Sequence, residues 1–351
     1  MTGRERILAA LAHKAPDRVP TLEWVLSESV MEKMCGTRSD IEFAKIMDLD
    51  GIAVGLNSKN IIVDDRHVID EWGITRVTYD EYPNPVKFPI ADEDDLKDFT
   101  IPDPNASYRF DKIKHALKEI GSEKCVVARV RDVFSQPRDL MGFENFLVSF
   151  YTEPDLAEYL MKTSADYSCQ ICNNLKDLGI EVIVIGDDYA NNDSLLISPD
   201  MFRNQVLPHL HRLVQHAKSL GLKVIKHSDG DLRAILPELL ATGIDCLDPI
   251  DERGHMHIDE LIKEYGQQIA FKGNIDCVST LVDQSVEDVR RQTARCILQG
   301  SAGGGHIISS SNSIHSGISP VNYRAFLDAV KELGTYPLNI PLLVQVSKSE
   351  K

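Results

Sequence analysis

The sequence predicts an α/β fold, a (β/α)8 TIM barrel with a β-hairpin insertion after the second strand. Three observations predict it. Short apolar runs end abruptly in polar residues and each is followed by a helix-like stretch, as in Lys223-Val-Ile-Lys-His-Ser-Asp-Gly230 and again over 181–189, 269–276 and 305–312. Runs that are apolar on both faces belong to parallel strands covered by helices. There are eight such units, the count of a closed barrel. Finally, no Gly-x-Gly-x-x-Gly follows the first unit, and the polar endings are spread over all eight strands. An open doubly wound sheet would gather them at one switch point.

Residues 3–13 place Arg4, Ile7, Leu8 and Leu11 at helical spacing, and Ala15-Pro-Asp-Arg-Val-Pro20 ends that helix. Residues 19–24 are the expected first strand, helices follow at 27–35 and 39–46, and 51–57 is the second strand. Residues 58–105 break the rhythm with an alternating run over 69–79, then Pro83, Pro85 and Pro89, then an acidic stretch. They read as a β-hairpin and a covering loop, with too few apolar residues for a core of their own. The alternation resumes with a helix at 110–120 before the strand 124–130, helices at 139–150 and 155–178 before 181–186, and a helix at 199–219 before 223–227. Residues 231–241 precede the strand 245–250, a helix at 257–265 precedes 268–273, a helix at 285–299 precedes 306–310, and a last helix covers 321–333. The chain after Tyr336 reads as loosely structured, so residues 1–340 form one expected domain and 341–351 a tail.

Composition narrows the classes. A hydrophobic content of 43% supports a substantial core. The longest apolar runs are far shorter than a membrane span, and Met1-Thr-Gly-Arg-Glu-Arg lacks the apolar stretch of a signal peptide. Seven scattered cysteines, an odd number, point to reduced thiols and a cytoplasmic location. A net charge of −16 with no dense Lys/Arg cluster argues against nucleic-acid binding.

The strand endings supply the candidate site. His227 and Asp229, two apart on an extended segment, share a face and could ligate a metal or act as an acid/base pair. The plainer alternative is local hydrogen bonding by His227 and helix capping by Asp229. Of the adjacent Asp187 and Asp188, only one can face the site, and Asp188 is the candidate, with Tyr189 beside it. Arg129, ending the third strand, is suited to a substrate carboxylate or phosphate; the alternative for Arg129 and Arg131 is an ion pair with Asp132. Asn274 and Asp276 end the seventh strand. Ser311, Asn312 and His315 lie in a hydroxyl-rich loop after the eighth, which suits anion or hydroxyl recognition as well as plain capping. Glu23 and Asn57 complete the ring of substrate-binding candidates from the first two strands. Cys169-Gln-Ile-Cys172 falls inside a helix without a second pair at zinc spacing and reads as packing.

Several segments together resemble the uroporphyrinogen decarboxylase superfamily, over roughly residues 3–335. They are Arg4-Glu-Arg-Ile-Leu-Ala-Ala-Leu11 with Ala15-Pro-Asp-Arg-Val-Pro20, His227-Ser-Asp-Gly230, Gly273-Asn-Ile-Asp276 and the glycine-rich approach to the last strand. The resemblance implies a barrel with its funnel at the carboxyl ends of the strands. It implies either the decarboxylase of haem biosynthesis or a zinc-dependent methyltransferase working with a corrinoid protein, and it favours a homodimer. The decarboxylase carries two arginines after its opening motif to hold the substrate's carboxylates. Here Thr21-Leu-Glu-Trp-Val-Leu-Ser-Glu-Ser-Val30 has none, and Glu23 and Glu28 would repel that substrate. Many of the methyltransferases carry His-x-Cys at the fifth strand and a Cys at the eighth. His227 matches the histidine, Asp229 replaces the first cysteine, and Ser309, Ser310 or Ser311 stands for the second. A His/carboxylate site is harder than a thiolate one and suits an ether or hydroxyl oxygen.

The resulting expectation is transfer of a methyl group from a small methylated substrate, an O-methyl ether, to the cobalamin of a separate corrinoid protein. Asp188, His227 and Asp229 would be catalytic, with zinc on His227 and Asp229 where a metal is used. The alternatives are decarboxylation of a small carboxylated substrate and a non-catalytic barrel that binds a ligand or tetrapyrrole.

Overall fold

Seven parallel strands form the central sheet of this computed structural model, which describes residues 1–79 and 82–349. The chain opens with helices α1 (Gly3–Ala10), α2 (Glu28–Cys35) and α3 (Asp40–Met47) before β1 (Gly51–Val54). A separate sheet follows, made of β2 (Ile61–Ile62), β3 (His67–Ile69), β4 (Thr75–Tyr79) and β5 (Tyr82–Lys87). Next come α4 (Asp111–Ile120), β6 (Cys125–Arg131), α5 (Ser135–Met141), α6 (Phe143–Thr152), α7 (Pro154–Asp177) and β7 (Val182–Gly186). The short α8 (Pro199–Met201) runs through a π turn into α9 (Leu207–Ser219), ahead of β8 (Lys223–His227), α10 (Leu236–Ala241) and β9 (Cys246–Ile250). The remainder is α11 (Ile258–Tyr265), β10 (Ala270–Ile275), α12 (Thr280–Asp283), α13 (Val286–Gly300), β11 (His306–Ser310), α14 (Pro320–Leu333) and α15 (Ile340–Ser347). The sheet order β1-β6-β7-β8-β9-β10-β11 follows the chain, as in a TIM barrel.

The expected first strand is a correction. Residues 19–24 contribute one parallel bridge, Thr21 to Ile308, with Pro20 accepting from the Ile308 N–H at 2.9 Å. Pro20 has no N–H for a ladder. On the side of β1 a side chain replaces backbone pairing: buried Asp50 accepts from the Thr21 N–H at 2.9 Å and is held by Arg6 and Arg18. The segment therefore sits where an eighth strand would stand. Inside the curved sheet, Val127, Val184, Ile225 and Ile307 pack against Ile7 and Ala10 of α1 and Leu11 just after it, so that α1 plugs the amino-terminal end. Among the described residues, no helix is long and apolar enough to cross a membrane.

The segment read as a hairpin is a four-stranded antiparallel sheet, β2-β3-β4-β5. It docks through Phe88 onto Gly142, where a side chain at φ +85 would stand 2.7 Å from the Phe88 ring. That glycine divides the expected helix 139–150 into α5 and α6. The helix expected from 231 begins only at Leu236, because Asp231 turns back to accept from the Arg233 N–H. Cys169 and Cys172 lie buried on α7, with burial pushing the Cys169 thiol up to about 11.

The tail is also a correction. Asn339 accepts from the Leu342 N–H, Pro341 sits in the first turn of α15, and Leu343 is fully buried in the core. Leu343→Ala is expected to cost about 2–5 kcal/mol of unfolding free energy, as in other buried leucine truncations. A denaturant midpoint unchanged from wild type would mean that α15 is not docked.

Candidate active site

His227 ends β8 at the carboxyl-terminal mouth of the sheet, on the face shared with interior Ile225. Its imidazole stacks on Trp24, with ring centroids 4.2 Å apart and planes 13° apart. The Trp24 indole reaches this place because residue 186 is glycine; a Cβ there would stand 2.6 Å from the ring. Nδ1 of His227 lies 2.9 Å from Asp248 of β9, and Asp248 in turn takes the Lys272 ammonium of β10 at 2.5 Å. All three groups are buried. A buried lysine next to a buried aspartate satisfies two charges that neither could carry alone.

The other ring nitrogen faces two carboxylates. Nε2 lies 4.0 Å from Asp188 and 3.9 Å from Asp229, beyond hydrogen-bond reach. Asp188 is fixed by the Asp229 N–H at 3.1 Å, and one oxygen of Asp229 accepts from the Asn312 amide. The second oxygen, Asp229 Oδ1, is buried without a hydrogen-bond partner among the described residues. Burial pushes the Asp229 carboxyl up to about 7, with His227 opposing and Asp188 adding to the rise. For His227, burial disfavours the charged ring, but Asp248, Asp229 and Asp188 outweigh it and leave its pKa raised. For Asp248, burial is outweighed by Lys272 and His227, which hold its carboxyl below the usual range.

Asp188, His227 and Asp229 each offer one ligand atom within 4.8 Å of the others, the donor set of a divalent cation. One imidazole, two carboxylates and an unsatisfied buried oxygen suit zinc or a harder ion.

The remaining candidates divide. Arg129 faces the mouth, its guanidinium carbon 5.6 Å over the Trp24 ring. Asn274 is buried one repeat above Lys272 on β10, and its side chain makes no hydrogen bond among the described residues. Ser311 bonds Cys277, and His315 lies 2.9 Å from the Cys277 carbonyl, so both shape the loop after β11. Four candidates are engaged elsewhere. Glu23 is buried against the Ser310 N–H and hydroxyl, stapling the first segment to β11. Asn57 caps α4 through the Lys112 N–H. Asp276 accepts from Val278 and Ser279 in the turn after β10. Tyr189 is buried on the helix side, its hydroxyl 2.7 Å from Asp132. Asp132 pairs with buried Lys226 at 3.0 Å, while Arg131 pairs with Asp139 at 2.6 Å. An apolar groove of about 800 Å³, lined by Leu147, Tyr151, Leu195 and Ile197, lies beside the mouth and includes none of the His227 cluster.

Sequence reasoning missed Lys272 and Trp24 and gave Asp248 no role. The signal was present: a lysine inside an apolar strand, as in Ala270-Phe-Lys-Gly, must find a buried acid.

Comparison with known proteins identifies the family and the fold. The family model for uroporphyrinogen decarboxylase (URO-D) matches residues 68–333. A methylated-thiol–coenzyme M methyltransferase from Methanosarcina mazei is 27% identical over 199 residues, 57% of this chain and 51% of that protein, so the chain matches about half the length of that relative. A uroporphyrinogen decarboxylase from Alkalilimnicola ehrlichii is 23% identical over 258 residues, 70% of this chain and 68% of that one. A solved structure described as a methyltransferase from Methanosarcina mazei superposes with a TM-score of 0.74 at 17% identity, covering 95% of this chain and 99% of that one, which establishes the shared fold. The chain belongs to the uroporphyrinogen decarboxylase family, and within it lies closer to the methyltransferases than to the haem-pathway decarboxylases.

Proposed function

We propose that the protein is a methyltransferase that moves a methyl group from a small O-methyl substrate to the cobalamin of a separate corrinoid protein. The observation that carries this reading is His227 at the mouth, fixed by Asp248 on one nitrogen and facing Asp188 and Asp229 with the other. The family relationship to a methyltransferase supports it. So does the absence of arginine from residues 21–30, which leaves no cations there for a porphyrinogen's carboxylates.

In the reaction, the bond from the methyl carbon to the substrate oxygen breaks as the reduced cobalt of the acceptor supplies the pair for the new carbon–cobalt bond. The oxygen keeps the old bonding pair and takes a proton. Asp229, whose carboxyl is raised by burial, and His227 stand where that proton is needed. Asp248 and Lys272 keep the imidazole oriented. With zinc bound, the same three residues, Asp188, His227 and Asp229, would serve as its ligands instead of as the acid, and the metal would supply Lewis-acid polarisation of the substrate oxygen. Stacked Trp24 narrows the mouth and displaces water from one face of the imidazole.

The test combines two measurements. Protein purified without chelators is expected to carry about one zinc per chain, lost in His227→Ala, by the donor count of such sites. Incubated with reduced corrinoid protein and a panel of methoxylated donors, it is expected to form methylcobalamin. Carbon dioxide release from a carboxylated substrate without any corrinoid acceptor would instead establish the decarboxylase reading.

A further inference from the structure

We propose that the substrate carries a single carboxylate at the end remote from its methylated oxygen, and that Arg129 selects for it. The position of that carboxylate relative to the methyl group rests on the methyl-transfer reading above; the anion site itself rests on Arg129 and its surroundings.

Arg129 lies on β6 in register with interior Val184 of β7, so its side chain enters the barrel rather than the helix layer. Among the described residues its guanidinium makes no hydrogen bond and no ion pair; its one ring contact is Trp24. The neighbouring arginines differ. Arg131 pairs with Asp139, Arg138 lies between Asp139 and Asp187, and Arg109 pairs with Glu71. Asp40 feels the charge of Arg129 but does not bond it. In a chain of net charge −16, a half-buried arginine left without a carboxylate is out of pattern. A guanidinium withdrawn from water is stabilised by a bidentate acid, and a planar carboxylate fits its fork. The backbone makes room for it: a Cβ at Gly55 would stand 3.1 Å from its Nη2.

The distance suits a small molecule. Trp24 touches both groups, with the Arg129 guanidinium 5.6 Å from its ring and the His227 ring 4.2 Å from it. The anion site and His227 therefore share one indole as a common wall, within the span of a small molecule. The charge is limited as well. Interior Lys272 is neutralised by Asp248, Arg131 on the same face of β6 is neutralised by Asp139, and Asp188 adds negative charge to the mouth. One monoanion is balanced there, whereas a phosphate dianion or a polycarboxylate is repelled. Arg129 is therefore the specificity-determining residue, holding the carboxylate while His227 and Asp229 act on the methylated oxygen.

Trp24 is one of two tryptophans, so Trp72→Phe makes it the sole indole reporter. Its fluorescence would be followed while titrating methoxyacetate, 3-methoxypropanoate and 3-methoxybenzoate, each against the alcohol of the same skeleton. At least one carboxylate is expected to bind tenfold or more tightly than its alcohol. Arg129→Met should abolish that preference and Arg129→Lys retain part of it, with unchanged melting temperatures showing that both variants fold. Carboxylates that bind no better than the alcohols, or a preference that survives in Arg129→Met, would overturn the proposal. Methyl transfer plays no part in this readout. A carboxylate preference in a protein that methylates no corrinoid acceptor removes the functional reading and leaves the anion site. Transfer from neutral ethers without any carboxylate preference does the reverse.

Discussion

Asp248→Ala is expected to lower the unfolding free energy by about 3–5 kcal/mol, the range for removing one partner of a buried ion pair. The substitution leaves the buried Lys272 ammonium without an ion pair, its only such partner among the described residues being Asp248 at 2.5 Å, while Glu23 feels its charge only from farther off. It also frees Nδ1 of His227. Adding Lys272→Met should recover most of the loss, because the uncompensated charge goes with it. Guanidinium denaturation of the wild type, both single variants and the double variant would close the cycle. A single-variant loss below about 1 kcal/mol would mean that water reaches Lys272 and that the pair does not organise the mouth. A loss of the expected size is a large fraction of the roughly 5–15 kcal/mol available to a folded domain, so the experiment is best done at low temperature.

His227→Ala is expected to reduce methyl transfer by about 10²–10⁴-fold, the range for losing a positioned acid or base, while the fold survives. His227 is bound by contacts at its edge and face, and its removal leaves Asp248 still paired with Lys272. Stability should therefore fall far less than in Asp248→Ala. Asp248→Asn gives the complementary result, with an imidazole that is present but less firmly oriented. Its transfer rate should lie between those of wild type and His227→Ala. Single-turnover formation of methylcobalamin measures both. A His227→Ala rate within tenfold of wild type would exclude the ring from the chemistry and place the proton donor on Asp229 alone.

These two residues also show how far the sequence could be read. His227 and Asp229 were legible because a histidine and a carboxylate two apart at the end of an apolar run share a face, and a strand end is where such a fold does chemistry. Asp188 was legible by the same alternation, since Asp187 then turns away toward Arg138. The β/α rhythm itself is local, so seven strands and most helices could be placed within a few residues. Where local signals were ambiguous, the reading failed. Residues 19–24 look like a strand but contribute one bridge, because Pro20 cannot donate and Asp50 takes over the pairing on one side. The apolar residues of the tail gave no hint of a core waiting for Leu343.

By itself, then, the sequence determined the α/β alternation, the end of the sheet that carries the candidate site and the proximity of His227 to Asp229. All of these depend on neighbours within a few residues of one another. The tertiary structure alone decided which polar groups are left unengaged. Glu23, Asn57, Tyr189 and Asp276 find partners in the wall, turns and helix layer, whereas among the described residues Arg129 and Asp229 Oδ1 find no hydrogen-bond partner. It also joined Asp248 and Lys272, 24 residues apart, into the support for His227. The physical reason is that a buried polar group must be satisfied by whatever lies nearest in space, and that neighbour is set by the closing of the sheet, not by position along the chain.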